Sequence, residues 1–180
     1  SAIREYDGAP TALLVTLRET TERVLVARLV ACLDALSTRC FLAETTEEAC
    51  RISAEVMSGS PRDLPFTLIY LVDAEMRQAR LAACSGLSGP AADIAPEVVS
   101  LLGEAESAPW PIARTVHSRT SMETTGVQTR VAPHLRDPAF APQLVISVPI
   151  EDPSGGIAGV LVMGTNPMRP ATEGRRLSTA

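Results

Sequence analysis

Two pairs of apolar runs, each joined by a short polar link, constrain this chain more than any other feature. Phe66–Val72 is a nearly continuous apolar run rich in strand formers, the pattern of a strand buried on both faces. Asp73–Arg77 reads as a turn, and Gln78–Ser85 as the returning strand, ended by Gly86 and Gly89-Pro90. So short a link between two such runs implies an antiparallel hairpin. Leu144–Ile150 and Ile157–Gly164 repeat the arrangement across Glu151-Asp152-Pro153-Ser154-Gly155-Gly156, a strong turn sequence. Pro149 has no amide hydrogen to donate, so its part of the strand belongs at an edge or a bulge. Gly159 and Gly164 imply bends, or another element packed closely over the sheet.

The remaining segments supply helices. Residues 9–17 read as a short strand, and Thr20 or Thr21 can cap a helix running to about Phe41. In that helix Leu25, Leu29, Cys32 and Leu36 form one apolar stripe, and Val26, Val30 and Leu33 form a second beside it. A helix apolar on two faces must bury both, so the first stripe is expected to face solvent or a second chain. A broad buried face is the alternative. Thr45-Thr46-Glu47-Glu48 fits a capping box that opens a second helix, with Thr45 as cap and Glu48 reaching back. Ala49, Ile52 and Val56 line its inner face beside Cys50 and Met57, and Ser58-Gly59-Ser60-Pro61 stops it. Pro96–Leu102 reads as a short helix with proline at its start, and Pro111 opens another carrying Ile112 and Val116. Residues 117–136 are polar and read as loop with one short strand; 166–180 are polar and expected to be disordered. Hairpins and helices in this order imply an α+β fold, an antiparallel sheet covered on one face by the helices near 22–41 and 46–58.

Composition then excludes several functions. A net charge of -5 argues against a nucleic-acid surface, which needs a basic stripe. No apolar run approaches the roughly 18–20 residues that span a bilayer. All 16 basic residues are arginine, which reads as a GC-rich coding bias rather than special chemistry. No secretory signal is visible, and an opening Ser suggests a fragment of something longer. Cys32, Cys40, Cys50 and Cys84 match no zinc spacing; the first three fall on helical stretches where cysteine acts as a small hydrophobe. Free thiols fit a reducing cytoplasm.

The order of elements and several local patterns resemble a GAF domain over residues 24–168. The resemblance is carried by Glu44–Cys50 opening the second helix, by Phe66–Asp73 and Ala79–Gly86 as strands, and by Val148–Ile150 with Gly159–Gly164. Upstream, Gly8–Thr16 followed by Glu19–Arg23 resembles the end of a PAS domain and the motif leading into its signalling helix. Together they resemble the input region of a multi-sensor (PAS–GAF) histidine kinase. The implied division is residues 1–20 as a PAS end and linker, 21–43 as a signalling coiled-coil helix, 44–168 as the GAF-like domain and 169–180 as a tail. The closing amphipathic helix usual in such domains has no counterpart in Ala171–Ala180.

The resemblance implies a sensory input domain, not an enzyme. It would bind a small ligand or relay a change to downstream kinase domains of the same chain, as a cytoplasmic homodimer through Leu25, Leu29, Cys32 and Leu36. The alternative is a structural or dimerisation spacer that binds nothing. A ligand would lie over one sheet face under residues 94–140, with Tyr70, Cys84, Trp110 and His134 as candidate wall residues. For Trp110 the plainer reading is core packing. No cofactor is specified. His117 and His134 lack a second ligand at metal spacing, although Asp137 lies near His134 in sequence. The stretch 85–131 holds no cysteine, which argues against an attached bilin and against a free methionine sulfoxide reductase, whose thiols lie over the pocket. G-x-S-x-G is absent, and a phosphate loop ending in Gly-Lys is impossible without lysine.

Overall fold

The computed structural model describes residues 30–89, 91–103 and 108–165. The chain divides into two compact units, Ser1–Leu42 and Ala43–Ala180.

In the first unit, residues 30–40 are helical (α1). The expected strand at 9–17, the start of the helix, and Leu25, Val26 and Leu29 lie outside the described residues. Within them the two stripes fall the other way round from expectation. Val30 and Leu33 are 58% and 54% exposed, whereas Cys32 and Leu36 are half-buried. Phe41 and Leu42 extend the exposed apolar surface.

The second unit opens with α2 (Thr46–Ser58). Thr45 caps it from an extended backbone, its Oγ1 accepting from the Glu48 amide at 3.1 Å. The Glu48 carboxylate reaches back as a capping box requires, but to the Glu44 amide, one residue further than the cap. Cys50, Ile52, Ala54 and Met57 are its buried residues. The inner face is therefore rotated from the expected Ala49, Ile52, Val56 line.

Both expected hairpins form, as β1 (Thr67–Val72) with β2 (Gln78–Ser85) and β5 (Leu144–Glu151) with β6 (Ile157–Thr165). β1 and β6 pair antiparallel and join the hairpins. A short β3 (Val98–Ser100) and β4 (Met122–Thr125) complete a sheet of order β3-β2-β1-β6-β5-β4, antiparallel throughout. The segment Pro96–Leu102 is thus not a helix. Its paired β-branched residues Val98 and Val99 hold weakly to a helix, and the outer edge of β2 at Gln78–Arg80 offers them a ladder. Residues 117–136 hold more structure than expected: the end of α3 (Ile112–Ser118), β4, α4 (Gln128–Val131) and a 3-10 turn at Ala132–His134. Pro149 lies beyond the last β4 pair at Ser147, where β5 is an open edge, as its missing amide requires.

The sheet separates two layers. α2 packs against β1 and β2. Phe66, Leu68 and Tyr70, alternating along one face, join Val145, Val160 and Val162 in a core closed by Ile94, Leu101, Trp110, Ile112, Val116, Val127, Val131 and Leu135. Each fully buried side chain of this kind contributes about 1.5–3 kcal/mol of transfer energy. Gly164 is required by close approach: a Cβ there would stand 2.7 Å from the Phe66 ring and 2.8 Å from Pro142 Cγ.

The β5–β6 turn is organised by Asp152. Its Oδ1 accepts from the Ser154 hydroxyl, the Ser154 amide and the Gly156 amide. The Ser154 hydroxyl first, then the backbone amides, hold its carboxyl below the usual aspartate range. A depressed folded pKa adds stability above the unfolded value of about 3.9, and that stability is lost as pH falls through the folded value. Asp152→Asn should therefore destabilise the protein at neutral pH, with the difference from wild type shrinking as urea midpoints are taken to lower pH. A difference that is constant with pH would rule out the charged carboxylate as the organiser.

Candidate functional site

The face of the sheet away from α2 is roofed by the segments from Ile94 to Phe140. Its sequence-predicted wall residues prove to have different surroundings. Trp110 is buried, with its indole N–H donating to the Ile94 carbonyl at 2.5 Å. Phe66 approaches its ring at 5.7 Å between centroids, and the Arg130 guanidinium lies 4.7 Å over it. Arg130 is held there by the Pro109 carbonyl, which accepts from Nη2 at 3.0 Å. The indole's polar edge and its face are therefore both occupied by the protein itself, as core packing implies.

Tyr70 is also buried and donates its hydroxyl to the Pro96 carbonyl at 3.1 Å. Burial foremost, and then the neighbouring Cys84, push its phenol well above the ordinary range, so it is a neutral hydrogen-bond donor. Cys84 pairs with Leu68 across the β1–β2 ladder and is exposed. Tyr70 and Cys84 thus come together on one face, while Trp110 belongs to the roof.

His134 sits at the end of the 3-10 turn, with its carbonyl accepting from the Ser88 amide at 2.8 Å. Its Nε2 lies 3.3 Å from an Asp93 carboxylate oxygen. The nearby Asp137 instead caps the next 3-10 turn, accepting from the Ala139 amide. The partner that matters is therefore far away in sequence, in the turn at 91–95. His117 is exposed on the last turn of α3. Among the described residues no group of three His, Cys, Asp or Glu side chains is placed to hold a metal.

One residue the sequence reading passed over stands out. Ser147 lies in a row across the sheet, Leu68–Val162–Ser147–Met122, on the roofed face. It is completely buried, and its hydroxyl has no hydrogen-bond partner. α3 packs against both β5 and β6 in this region. A buried hydroxyl left unpaired costs about 1–3 kcal/mol, so an orphan in a core calls for a reason. A signal was present: period-2 alternation along Leu144–Ile150 puts a lone polar residue on the same side as Val145.

No protein-family model and no curated protein matches the chain. Among solved structures it is similar to the GAF domain of A. aeolicus nlh2 in an inactive state. The two are 12% identical over 79% of this chain and 82% of that one, with a TM-score of 0.56. The GAF domain of an Acinetobacter phosphoenolpyruvate-protein phosphotransferase is 14% identical over 76% of each chain, with a TM-score of 0.52. The fRMsr of Staphylococcus aureus, solved in complex with substrate, is 13% identical over 77% of this chain and 78% of that one, with a TM-score of 0.51. At such identities the likeness is one of fold. The α+β architecture is GAF-like, as the sequence patterns imply.

Proposed function

We propose that this chain is a sensory input segment of a signalling protein, in which a small ligand held between sheet and roof changes what the domain passes to the rest of its chain. The observation that carries this reading is the unpartnered Ser147 hydroxyl on the roofed face. A polar ligand atom there would supply its missing bond. The GAF-like fold supports the reading, since one similar protein holds its substrate in this fold. The fuller context of the reading, a PAS–GAF histidine kinase acting in the cytoplasm as a homodimer through the first helix, rests on the sequence resemblance. Among the described residues no helix is long and apolar enough to cross a membrane.

The reading is non-enzymatic. The reductases that share this fold carry their thiols over the pocket, and residues 85–131 hold no cysteine. A spacer that binds nothing is the second reading. It is favoured by Trp110 and Tyr70, whose polar atoms are already satisfied by the Ile94 and Pro96 carbonyls.

A thermal-shift screen with nucleotides, amino acids, haem and oxo-acids tests the proposal, because a ligand of the folded state raises Tm by mass action. A bound compound is expected to lose most of its shift in Ser147→Ala. Without ligand, that variant should be as stable as wild type or more so by about 1 kcal/mol, since it removes an unpaired polar group. Silence across the panel, together with a stability loss in Ser147→Ala, would favour the spacer.

A further inference from the structure

A second opening lies at the outer edge of β2, beside α2. β3 covers that edge only from Gln78 to Arg80. The Leu81 amide donates to the Glu97 carbonyl at 2.9 Å, and farther on the Gly86 carbonyl accepts from the Arg136 amide at 3.0 Å. Between these two ties, among the described residues, no backbone hydrogen bond reaches the outer edge of β2 at 82–85. A bulge in the β1–β2 ladder, where Ile69 opposes Ala83 and Tyr70 opposes Leu81, loosens the strand at this point.

The gap opens into a cavity of about 460 Å³ whose lining includes Arg51, Glu55 and Ser58 from α2, Cys84 and Ser85 from the strand, and Arg136. The size suits a small ligand. Its charges are unequal. Arg51 lies 3.6 Å from Glu48 and 3.9 Å from Glu55, so the cation on the α2 wall is already engaged by two carboxylates. Arg136 is exposed, is held through Nε by the Leu87 carbonyl at 3.3 Å, and has no acidic partner among the described residues. A guanidinium anchored in this way presents its terminal nitrogens to a carboxylate. Strand-edge amides and carbonyls beside it match an amide group. Because the chain's own pairing closes the gap at both ends, a long strand cannot pass through it.

We propose that this slot is a binding site for a short amide-bearing carboxylate, of the size of a dipeptide, with the carboxylate on Arg136 and the amide on the free edge of β2 at 82–85. The slot shares Cys84 and Arg136 with the wall and roof of the first site, but it lies at the outer edge of β2 rather than over Ser147, and it does not depend on the sensory reading.

The test is an NMR titration of the full chain with N-acetyl-alanyl-alanine, run beside its C-terminal amide. The acid should give saturable amide shifts confined to Ala82–Ser85 and Arg136, with a Kd on the order of 1 mM or tighter. The C-terminal amide should bind about tenfold or more weakly, as should the Arg136→Gln variant towards the acid. Arg114→Gln, an exposed change on α3, should bind as wild type does. Equal shifts for acid and amide, unchanged binding by Arg136→Gln, no saturation by about 10 mM, or shifts clustered under the roof around Ser147 would each overturn the proposal.

Discussion

Gly86→Ala is expected to lower stability by about 2–5 kcal/mol, a large part of the roughly 5–15 kcal/mol that holds a domain together. The residue has a φ of 81°, where an L side chain costs about 1–2 kcal/mol. An added Cβ would also press on the Pro65 carbonyl and come within 2.8 Å of Phe66 Cα, both backbone atoms that cannot step aside. Overpacking of that kind costs about 1–3 kcal/mol more. Gly103→Ala separates the two terms, because its φ is 79° but nothing lies within 4 Å of its Cβ position. Urea midpoints should fall clearly further for Gly86→Ala than for Gly103→Ala. Equal losses would mean that the close approach beside β1 carries no weight. The residue also hands the chain from β2 towards the roof, its carbonyl holding the Arg136 amide, so the strain enters where the sheet and the roof are tied.

Trp110→Ala should be at least as damaging. Removing a buried indole typically costs about 3–5 kcal/mol, and here the Ile94 carbonyl also loses its donor and Arg130 its aromatic face. For a domain of this size the midpoint of thermal unfolding should fall by on the order of 10–20 °C. Trp110→Phe should recover much of the packing but not the Ile94 hydrogen bond, and so should fall between the two. Circular dichroism melts of the three proteins check the order. Trp110 is the sole tryptophan, so its fluorescence in the wild type reports this one site. A loss below about 1 kcal/mol for the alanine variant would return the ring from the core to the wall of a ligand pocket.

The candidate site was legible only in part. Trp110 and Tyr70 could be picked out as large residues with polar handles, but what those handles touch was not. Their acceptors are backbone carbonyls at Ile94 and Pro96, which carry no sequence signature. The same holds for His134. Its sequence neighbour Asp137 was the visible carboxylate, whereas the contact goes to Asp93 on a separate segment of the roof. Ser147 was visible as a polar residue in an apolar strand. Its isolation depends on what lies opposite it in the folded sheet.

The sequence by itself determined the elements whose causes are local. Alternating and continuous apolar runs set both hairpins, because side-chain direction in a strand repeats every two residues and a short turn leaves only an antiparallel return. The Thr45 cap formed because its hydroxyl and the amide it satisfies are three residues apart. Pro149 declared its open edge through a missing donor. Only the tertiary structure decided the rest: that Pro96–Leu102 pairs as a strand, that the sheet runs β3-β2-β1-β6-β5-β4, and that Arg136 comes to stand beside α2. Local preference among short apolar segments differs by less than the energy gained on joining an existing sheet edge or closing a core. For such segments the partner available in space, and not the residues alone, selects the conformation.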